Sequence, residues 1–224
     1  MLGRAGIAMW WHVPPEVRVE WEDWHTHEHM PERLGIPGFL RGTRWVADSG
    51  EPSYFVLYET RNLKTMTTGA YLDRLNNPTP WSRQMMPHHR NMVRSLCRVR
   101  AAFGGGIAQV MATIRFSPSP RKRGSLGKWL AAEVMPPLPG RKGLTAAYLL
   151  ESLPADVPRT AEHEIRGMDA QADCVLLICG HDVEAVRAFV AEGLGELEAH
   201  GALPGRIEGL YRCAYSLISK EVHG

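Results

Sequence analysis

The chain has 224 residues, 44% of them apolar, which is enough for one large domain or two small ones with a sizeable core. Its 26 basic and 24 acidic residues leave a formal charge of +2, so neither nucleic acid nor an anionic membrane is an expected partner. Four cysteines without a CxxC motif, and no apolar run near the ~20 residues of a membrane span, indicate reduced thiols in a cytoplasmic protein.

The first half of the chain predicts the element order βαββαβ. Strands are indicated by apolar alternation and β-branched or aromatic residues, and the first helix by its opening prolines and early acidic residues. Asp, Ser, Gly and Pro between the second and third strands are typical of a hairpin turn. The predicted strands cover 6–13, 38–47, 53–60 and 92–103, and the predicted helices cover 14–34 and 62–76.

The second half repeats this order. Its predicted strands cover 107–116, 144–153, 173–180 and 206–219, its helices cover 125–135 and 182–200, and a longer connection spans 154–172. A shift of 105 residues aligns identical residues without a gap, since Trp24 then lies over Trp129, Glu28 over Glu133, Met30 over Met135, Pro31 over Pro136 and Gly38 over Gly143.

These elements predict an α+β protein made of two tandem ferredoxin-like units. Three glycines in Phe103–Gly106 mark the boundary, giving a first unit over 1–104 and a second over 105–224. A four-stranded sheet with helices on one face needs cover on the other. We therefore expect the two sheets to pack against each other as an intrachain barrel.

The stretch "EHMPERLGIPGFLRGTRW", residues 28–45, resembles the EthD-like branch of the dimeric α/β-barrel superfamily and its small lactone isomerases. That superfamily contains cofactor-free monooxygenases, isomerases, cyclases and haem-dependent enzymes, so the resemblance implies a fold more firmly than a reaction. In the lactone isomerases a histidine eight residues before a Pro-Gly pair takes part in proton transfer. The resemblance places that role on His29, eight residues before Pro37.

The histidine-rich helix has a predicted functional face. On an α-helix His25, Glu28 and His29 share one side, and His27 points elsewhere. The second unit carries Leu130, Ala132 and Val134 in place of these histidines, and Leu149 and Leu150 in place of Arg44 and Trp45. Polar groups confined to one unit are candidates for a single site, whose catalytic residues would be His29, His25, Glu28 and Arg44.

Glu28 has two readings. Its carboxylate follows Val17, Trp21 and Trp24 on an apolar face, where a buried acid needs hydrogen-bond donors. Because Glu133 occupies the equivalent position, a structural role in both units is one reading. Orientation of His29 is the other. Met30, Pro31 and Gly38 are interpreted as fold residues on the same argument.

A second cluster of residues follows the second helix of the first unit, at Asn76–Met92. Its turn chemistry, aromatic content and paired histidines indicate a segment that covers the mouth of a pocket. The alternative is that these aromatic residues are core. The predicted substrate-binding residues are Trp10, Trp45, Tyr58, Trp81, Met85, His88 and His89.

The expected function is cofactor-independent acid–base chemistry on an aromatic or polycyclic metabolite: isomerisation, dehydration or oxygenation. His29 would move the proton, His25 or Glu28 would orient it, and Arg44 would stabilise an enolate.

No His-Glu-x-x-His motif or nucleotide-binding glycine loop is present, so we expect neither metal nor cofactor, although the histidines could ligate zinc or haem. The alternative is a non-catalytic protein that binds a ligand or partner. A homodimer of the two-unit chain is also expected.

Overall fold

The computed structural model describes residues 1–48, 50, 52–153, 160–167 and 169–222. The first unit contains four strands and four short helices, and a π-helical segment, His25–His29, joins the first two helices. Its strands are β1 (Ala5–His12), β2 (Phe39–Ala47), β3 (Tyr54–Thr60) and β4 (Arg90–Gly104), and its helices are α1 (Arg18–Trp24), α2 (Met30–Leu34), α3 (Gly69–Asn76) and α4 (Pro80–Met85).

The second unit has the same strand order, with one helix between its first and second strands, one in its long connection and one before its last strand. A second π-helical segment, Leu130–Val134, follows its first helix. Its strands are β5 (Val110–Phe116), β6 (Leu144–Ser152), β7 (Cys174–Gly180) and β8 (Ile207–Ile218), and its helices are α5 (Arg123–Trp129), α6 (Ala161–Arg166) and α7 (Val183–Gly193).

The eight strands form one closed antiparallel barrel in the order β1-β3-β2-β8-β5-β7-β6-β4. Each unit contributes four consecutive strands in the ferredoxin-like order, and β2–β8 and β4–β6 pairing joins the two sheets. Closure removes the exposed edges that each four-stranded sheet would otherwise present. The predicted α+β fold, two ferredoxin-like units forming an intrachain dimeric α/β barrel, is confirmed.

Strand alternation divides the core into three layers. On β1, Ile7, Met9 and Trp11 face the helices of the first unit, whereas Ala8 and Trp10 face the barrel interior. The helices of the second unit cover a separate apolar layer on the opposite side of the molecule. We call these the first helix–sheet layer, the barrel interior and the second helix–sheet layer.

The two units keep the same spacing over their first halves. Strands β2 and β6 begin at Phe39 and Leu144, and the π-helical segments begin at His25 and Leu130, so both pairs differ by 105 residues. Gly38 and Gly143 have φ of 98° and 84°, a left-handed conformation that favours glycine. A Cβ on Gly38 would lie 2.6 Å from Oγ1 of Thr65. Both observations support the interpretation of this glycine as a fold residue.

Some predicted elements differ from the observed ones. The helix predicted over 62–76 is divided into a 3₁₀ turn, Leu63–Thr67, and α3, with Thr68 capping α3. The helix predicted over 182–200 ends at Gly193, where glycine favours termination. The connection predicted as a long loop contains α6; its residues 154–159 and 168, like residues 49 and 51 of the predicted hairpin turn, lie outside the described residues. Within the described chain, no helix is both long and apolar enough to cross a membrane.

Candidate functional site

The histidine-rich turn is π-helical. The N–H of Met30 donates to the carbonyl of His25, five residues back, where an α-helix would use four. His25 and His29 point inward, with 1% and 8% of their surface exposed, and their ring centroids are 5.7 Å apart. His27 lies on the surface beside Asp23. The predicted separation of His27 from the other two histidines therefore agrees with the geometry.

Tryptophan rings enclose the histidines. The His25 ring stacks on Trp21 at 4.9 Å, and the His29 ring lies 4.5 Å from Trp24. A third histidine enters from the segment before β4: His89 accepts a hydrogen bond from Nε1 of Trp21 at 2.8 Å. These side chains, with Trp11 at 4.8 Å from His89, form what we call the Trp–His cluster: Trp11, Trp21, Trp24, His25, His29 and His89.

Burial keeps the three histidines of the cluster neutral. Desolvation is the main cause that lowers each pKa well below its ordinary value. Positive charges add to it, chiefly Arg44 beside His25 and Arg33 beside His29. A neutral imidazole has a lone pair that can accept a proton, as a general base requires.

Arg33 is a buried cation beside the histidines that the sequence did not reveal as a candidate. It lies on α2, is 4% exposed, and donates through Nη2 to Oε1 of Glu162, which is 2% exposed on α6. Glu162 also pairs with Arg166 at 3.2 Å. The second unit thus supplies the acid that neutralises a buried arginine of the first helix–sheet layer. Separation by 129 residues leaves no local sequence signal for this pair.

Several buried polar atoms in the first helix–sheet layer have no hydrogen-bond partner among the described residues. They include Nδ1 of His29, Nη1 of Arg33 and the hydroxyl of Tyr58. Burial raises the pKa of Tyr58, so its hydroxyl remains protonated and can donate, and the positive charge of Arg33 opposes this shift only in part. Unsatisfied buried polar groups in a native fold often mark a catalytic or ligand-binding role.

Arg44 lies at the edge of the Trp–His cluster. Its Nη1 donates to the carbonyl of Glu22 and to Oγ1 of Thr26, both at 3.0 Å, and lies 3.4 Å from Nδ1 of His25. The same guanidinium is 5.7 Å from the Tyr215 ring. Arg44 therefore contacts His25 directly, and its main contacts hold the π-helical turn against β2.

Glu28 faces a different set of partners from the one predicted for an orienting residue. Its Oε1 accepts hydrogen bonds from Nε1 of Trp24 at 3.0 Å, from Oγ1 of Thr79 at 2.5 Å and from Oγ of Ser82 at 3.2 Å. The carboxylate thus fastens the histidine helix to the start of α4. Glu133, the equivalent residue, is exposed, so the predicted structural role shared by both units is wrong for the second unit.

The predicted substrate-binding residues do not converge on one pocket. Trp10 and Trp45 face the barrel interior, on the opposite side of the sheet from Tyr58. Because side chains alternate between the two faces of a sheet, the positions of Trp10 and Trp45 on their strands point to one face and the position of Tyr58 points to the other. His88 lies in a surface turn before His89. Within the first helix–sheet layer the structure brings together His25, His29, Tyr58, Met85 and His89, with Trp81 at its margin.

The second helix–sheet layer is hydrocarbon where the first is polar. Leu130 stands in place of His25, Val134 in place of His29, Leu138 in place of Arg33 and Leu149 in place of Arg44. The three leucines are at most 2% exposed. The same backbone therefore packs well without these polar groups, and the fold does not require them.

Among the described residues, no group of three or more His, Cys, Asp or Glu side chains is placed to hold a metal ion. The arginines that lower the pKa of His25 and His29 would also repel a metal cation.

Solved structures share this architecture, whereas no family model and no curated protein matches the chain. An anthrone oxidase-like protein is 13% identical, with 96% of this chain and 92% of that one covered and a TM-score of 0.63. A protein from Fusobacterium nucleatum described as a monooxygenase is 9% identical, with 97% of this chain and 96% of that one covered and a TM-score of 0.62. A haem-binding protein from Thermus thermophilus is 11% identical, with 96% and 92% covered and a TM-score of 0.53.

Similarity at these identities shows the fold alone. The chain has the dimeric α/β-barrel fold of these proteins.

Proposed function

We propose that this chain is a small-molecule enzyme whose active site lies in the first helix–sheet layer, and that it performs cofactor-independent acid–base chemistry on an aromatic or polycyclic metabolite. The observation that carries the proposal is the contrast between the two layers. His29 and Arg33 occupy positions that hold Val134 and Leu138 in the other unit. Buried polar groups are costly, so their presence in one layer favours a functional role.

His29 would be the general base. Its pKa is lowered by burial and by Arg33, so the imidazole is neutral at pH 7, and its Nδ1 makes no hydrogen bond to any described residue. His25 packs against the His29 ring and would orient it. Glu28 would not orient His29, because Trp24, Thr79 and Ser82 all donate hydrogen bonds to its Oε1.

Arg33 and Tyr58 would stabilise the anion formed when the substrate loses its proton. Arg33 Nη1 and the Tyr58 hydroxyl are buried donors without partners among the described residues. Donors fixed in a low-dielectric site stabilise developing negative charge without reorganisation. Arg44, the residue predicted for this task, would instead act through His25, which its guanidinium contacts.

The carbanion so formed can be oxygenated, isomerised or dehydrated, and the fold similarity to an anthrone oxidase-like protein makes oxygenation the reaction to test first. With anthrone as the probe, His29 would take a proton from the CH₂ group. Dioxygen would then oxidise the resulting anion to anthraquinone. One anthrone and one dioxygen give one anthraquinone and one water, so the reaction needs no further reductant.

The experiment measures oxygen consumption and anthraquinone formation by the wild type, His29→Val and His27→Ala. Valine is the residue of the second unit at this position, so the fold should tolerate it. We expect His29→Val to lower kcat by roughly 10²–10⁴-fold, the usual range for a general base, with its melting temperature retained. His27→Ala, at an exposed site, should keep wild-type turnover.

Full turnover by His29→Val would refute the proposal. Saturable anthrone binding without turnover by the wild type would favour the alternative, a non-catalytic ligand-binding barrel. The rings packed against the histidines, such as Trp24 on His29 at 4.5 Å, are consistent with either outcome, because aromatic faces bind flat ligands.

We also infer that the chain is a tandem repeat of an EthD-like unit, divided at 104/105, and that it functions in the cytoplasm. The equal spacing of β2 and β6 and of the two π-helical segments supports the repeat. The four cysteines, Cys97, Cys174, Cys179 and Cys213, are unpaired, which supports a reducing compartment. The expected homodimer remains a proposal, and size-exclusion chromatography with light scattering would test it.

A further inference from the structure

Arg115 is a partly buried cation without an acidic partner. It lies near the end of β5 on the side that faces the barrel, and its guanidinium carbon is 4.9 Å from the centre of the Trp10 ring. Burial lowers the pKa of Arg115, and the neighbour that opposes this shift is Tyr211. Among the residues that the structure describes, no carboxylate forms an ion pair with it.

The fold does not require a positively charged side chain at this position. Arg115 and Trp10 differ by 105 in residue number, so they occupy equivalent positions of the two units, and the first unit has an indole there. A partly buried arginine that has no counter-ion, in a position where an aromatic ring also fits, is a candidate for ligand recognition.

A cavity of about 210 Å³ opens in front of Arg115 at one end of the barrel. Val93, Phe116, Pro204 and Ile207 contribute apolar walls, and Ser117 and Gln171 contribute polar side chains. Asp173 also lines the cavity, but its carboxylate lies 3.6 Å from Arg123, which offsets its charge. The cavity thus combines one cation that has no acidic partner among the described residues with a lining in which apolar residues outnumber polar ones.

We propose that this cavity binds a small organic monocarboxylate. The planar guanidinium of Arg115 would hold the carboxylate through two parallel hydrogen bonds, and the apolar walls would cover the rest of the molecule. Phosphate fits less well, because a dianion would face a single cation and the carboxylate of Asp173. The volume lies below the ~300 Å³ at which pockets for drug-sized ligands begin, so the ligand is about the size of benzoate.

This site is separate from the proposed active site. Arg115 and Val93 face the barrel interior or its mouth, whereas His29 and Arg33 lie in the first helix–sheet layer on the other side of the sheet. The proposal therefore does not depend on the function proposed above.

Isothermal titration calorimetry with benzoate tests the proposal, with neutral benzamide and inorganic phosphate as comparison probes. The variants are Arg115→Gln, Arg115→Lys, and Arg121→Gln as a matched control at an exposed arginine. We expect saturable binding of benzoate to the wild type and to Arg121→Gln. Binding should be at least about tenfold weaker in Arg115→Gln, with an intermediate loss in Arg115→Lys, which keeps the charge but loses the bidentate fork.

His29→Val separates the two sites, since it should bind benzoate as the wild type does. Equal binding by Arg115→Gln and the wild type, no binding by the wild type, or binding lost in His29→Val but kept in Arg115→Gln would each overturn the proposal. Phosphate binding as tight as that of benzoate would overturn the assignment of a carboxylate ligand. If Arg115→Gln does not fold, as judged by circular dichroism, the comparison of Arg115→Lys with the wild type decides.

Discussion

Arg33 and Glu162 form a buried ion pair between the two units. The arginine lies on the helix that follows the histidines, and the acid lies on the short helix in the long connection of the second unit. Each side chain is at most 5% exposed. The pair therefore fixes a cationic group of the proposed active site with a residue that the other unit supplies.

Replacing Glu162 by Gln should be strongly destabilising. The change leaves Arg33 buried without an acidic partner, whereas Arg166 keeps its ion pair with Asp169 at 3.0 Å. Loss of one member of a buried ion pair typically costs about 3–5 kcal/mol. Urea unfolding followed by circular dichroism gives the free energy of unfolding. Glu133→Gln, at an exposed position, is the matched control and should unfold like the wild type. An unchanged midpoint for Glu162→Gln would show that the pair contributes little.

The two equivalent glutamates should now behave differently. Glu28→Ala removes an acceptor shared by Trp24, Thr79 and Ser82 and should lower the free energy of unfolding by roughly 1–3 kcal/mol. Glu133→Ala changes an exposed side chain and should stay within about 0.5 kcal/mol of the wild type. Chemical denaturation of both variants provides the measurement, and equal losses would restore the shared role predicted from the sequence.

Stability should fall in mild acid because of the Trp–His cluster. The pKa values of His25, His29 and His89 are lowered in the folded state, so the unfolded chain binds protons first as the pH drops below about 6.5. Folding stability is then complete above that pH and is lost below it, until the folded-state pKa values are reached. Each histidine contributes a slope of up to about 1.4 kcal/mol per pH unit.

Urea midpoints measured between pH 5 and pH 8 test this dependence. His29→Val should reduce the slope because it removes one of the three groups, whereas His27→Ala, at an exposed position, should leave the contribution of the cluster intact. A flat profile for the wild type in this range would contradict the burial of neutral histidines.

Purified protein should contain neither stoichiometric metal nor haem. Arg33 and Arg44 lower the pKa of the histidines by placing positive charge beside them, and the same charge disfavours a bound metal cation. Absorption in the Soret region and elemental analysis of one sample provide the measurement. A Soret band, or zinc or iron at the protein concentration, would show that the electrostatic argument fails.

The sequence by itself determined the architecture and showed that the buried polar residues belong to the first unit. Alternation and helical spacing are local patterns, and a gapless shift of 105 residues relates Trp24 to Trp129 and Glu28 to Glu133. The loss of the histidines at Leu130 and Val134 was also visible in the sequence. These inferences depend on neighbours along the chain, which is why they needed no coordinates.

The tertiary structure decided which residues meet. Strand pairing and barrel closure placed Trp10 beside Arg115 in the barrel interior, on the other side of the sheet from Tyr58. Chain folding brought Glu162 to Arg33 across 129 residues. Such contacts depend on how strands register and layers stack, and a residue's own neighbours in sequence carry no information about them. Equivalent positions such as Glu28 and Glu133 can likewise differ in burial, because the segments packed over the two helices differ.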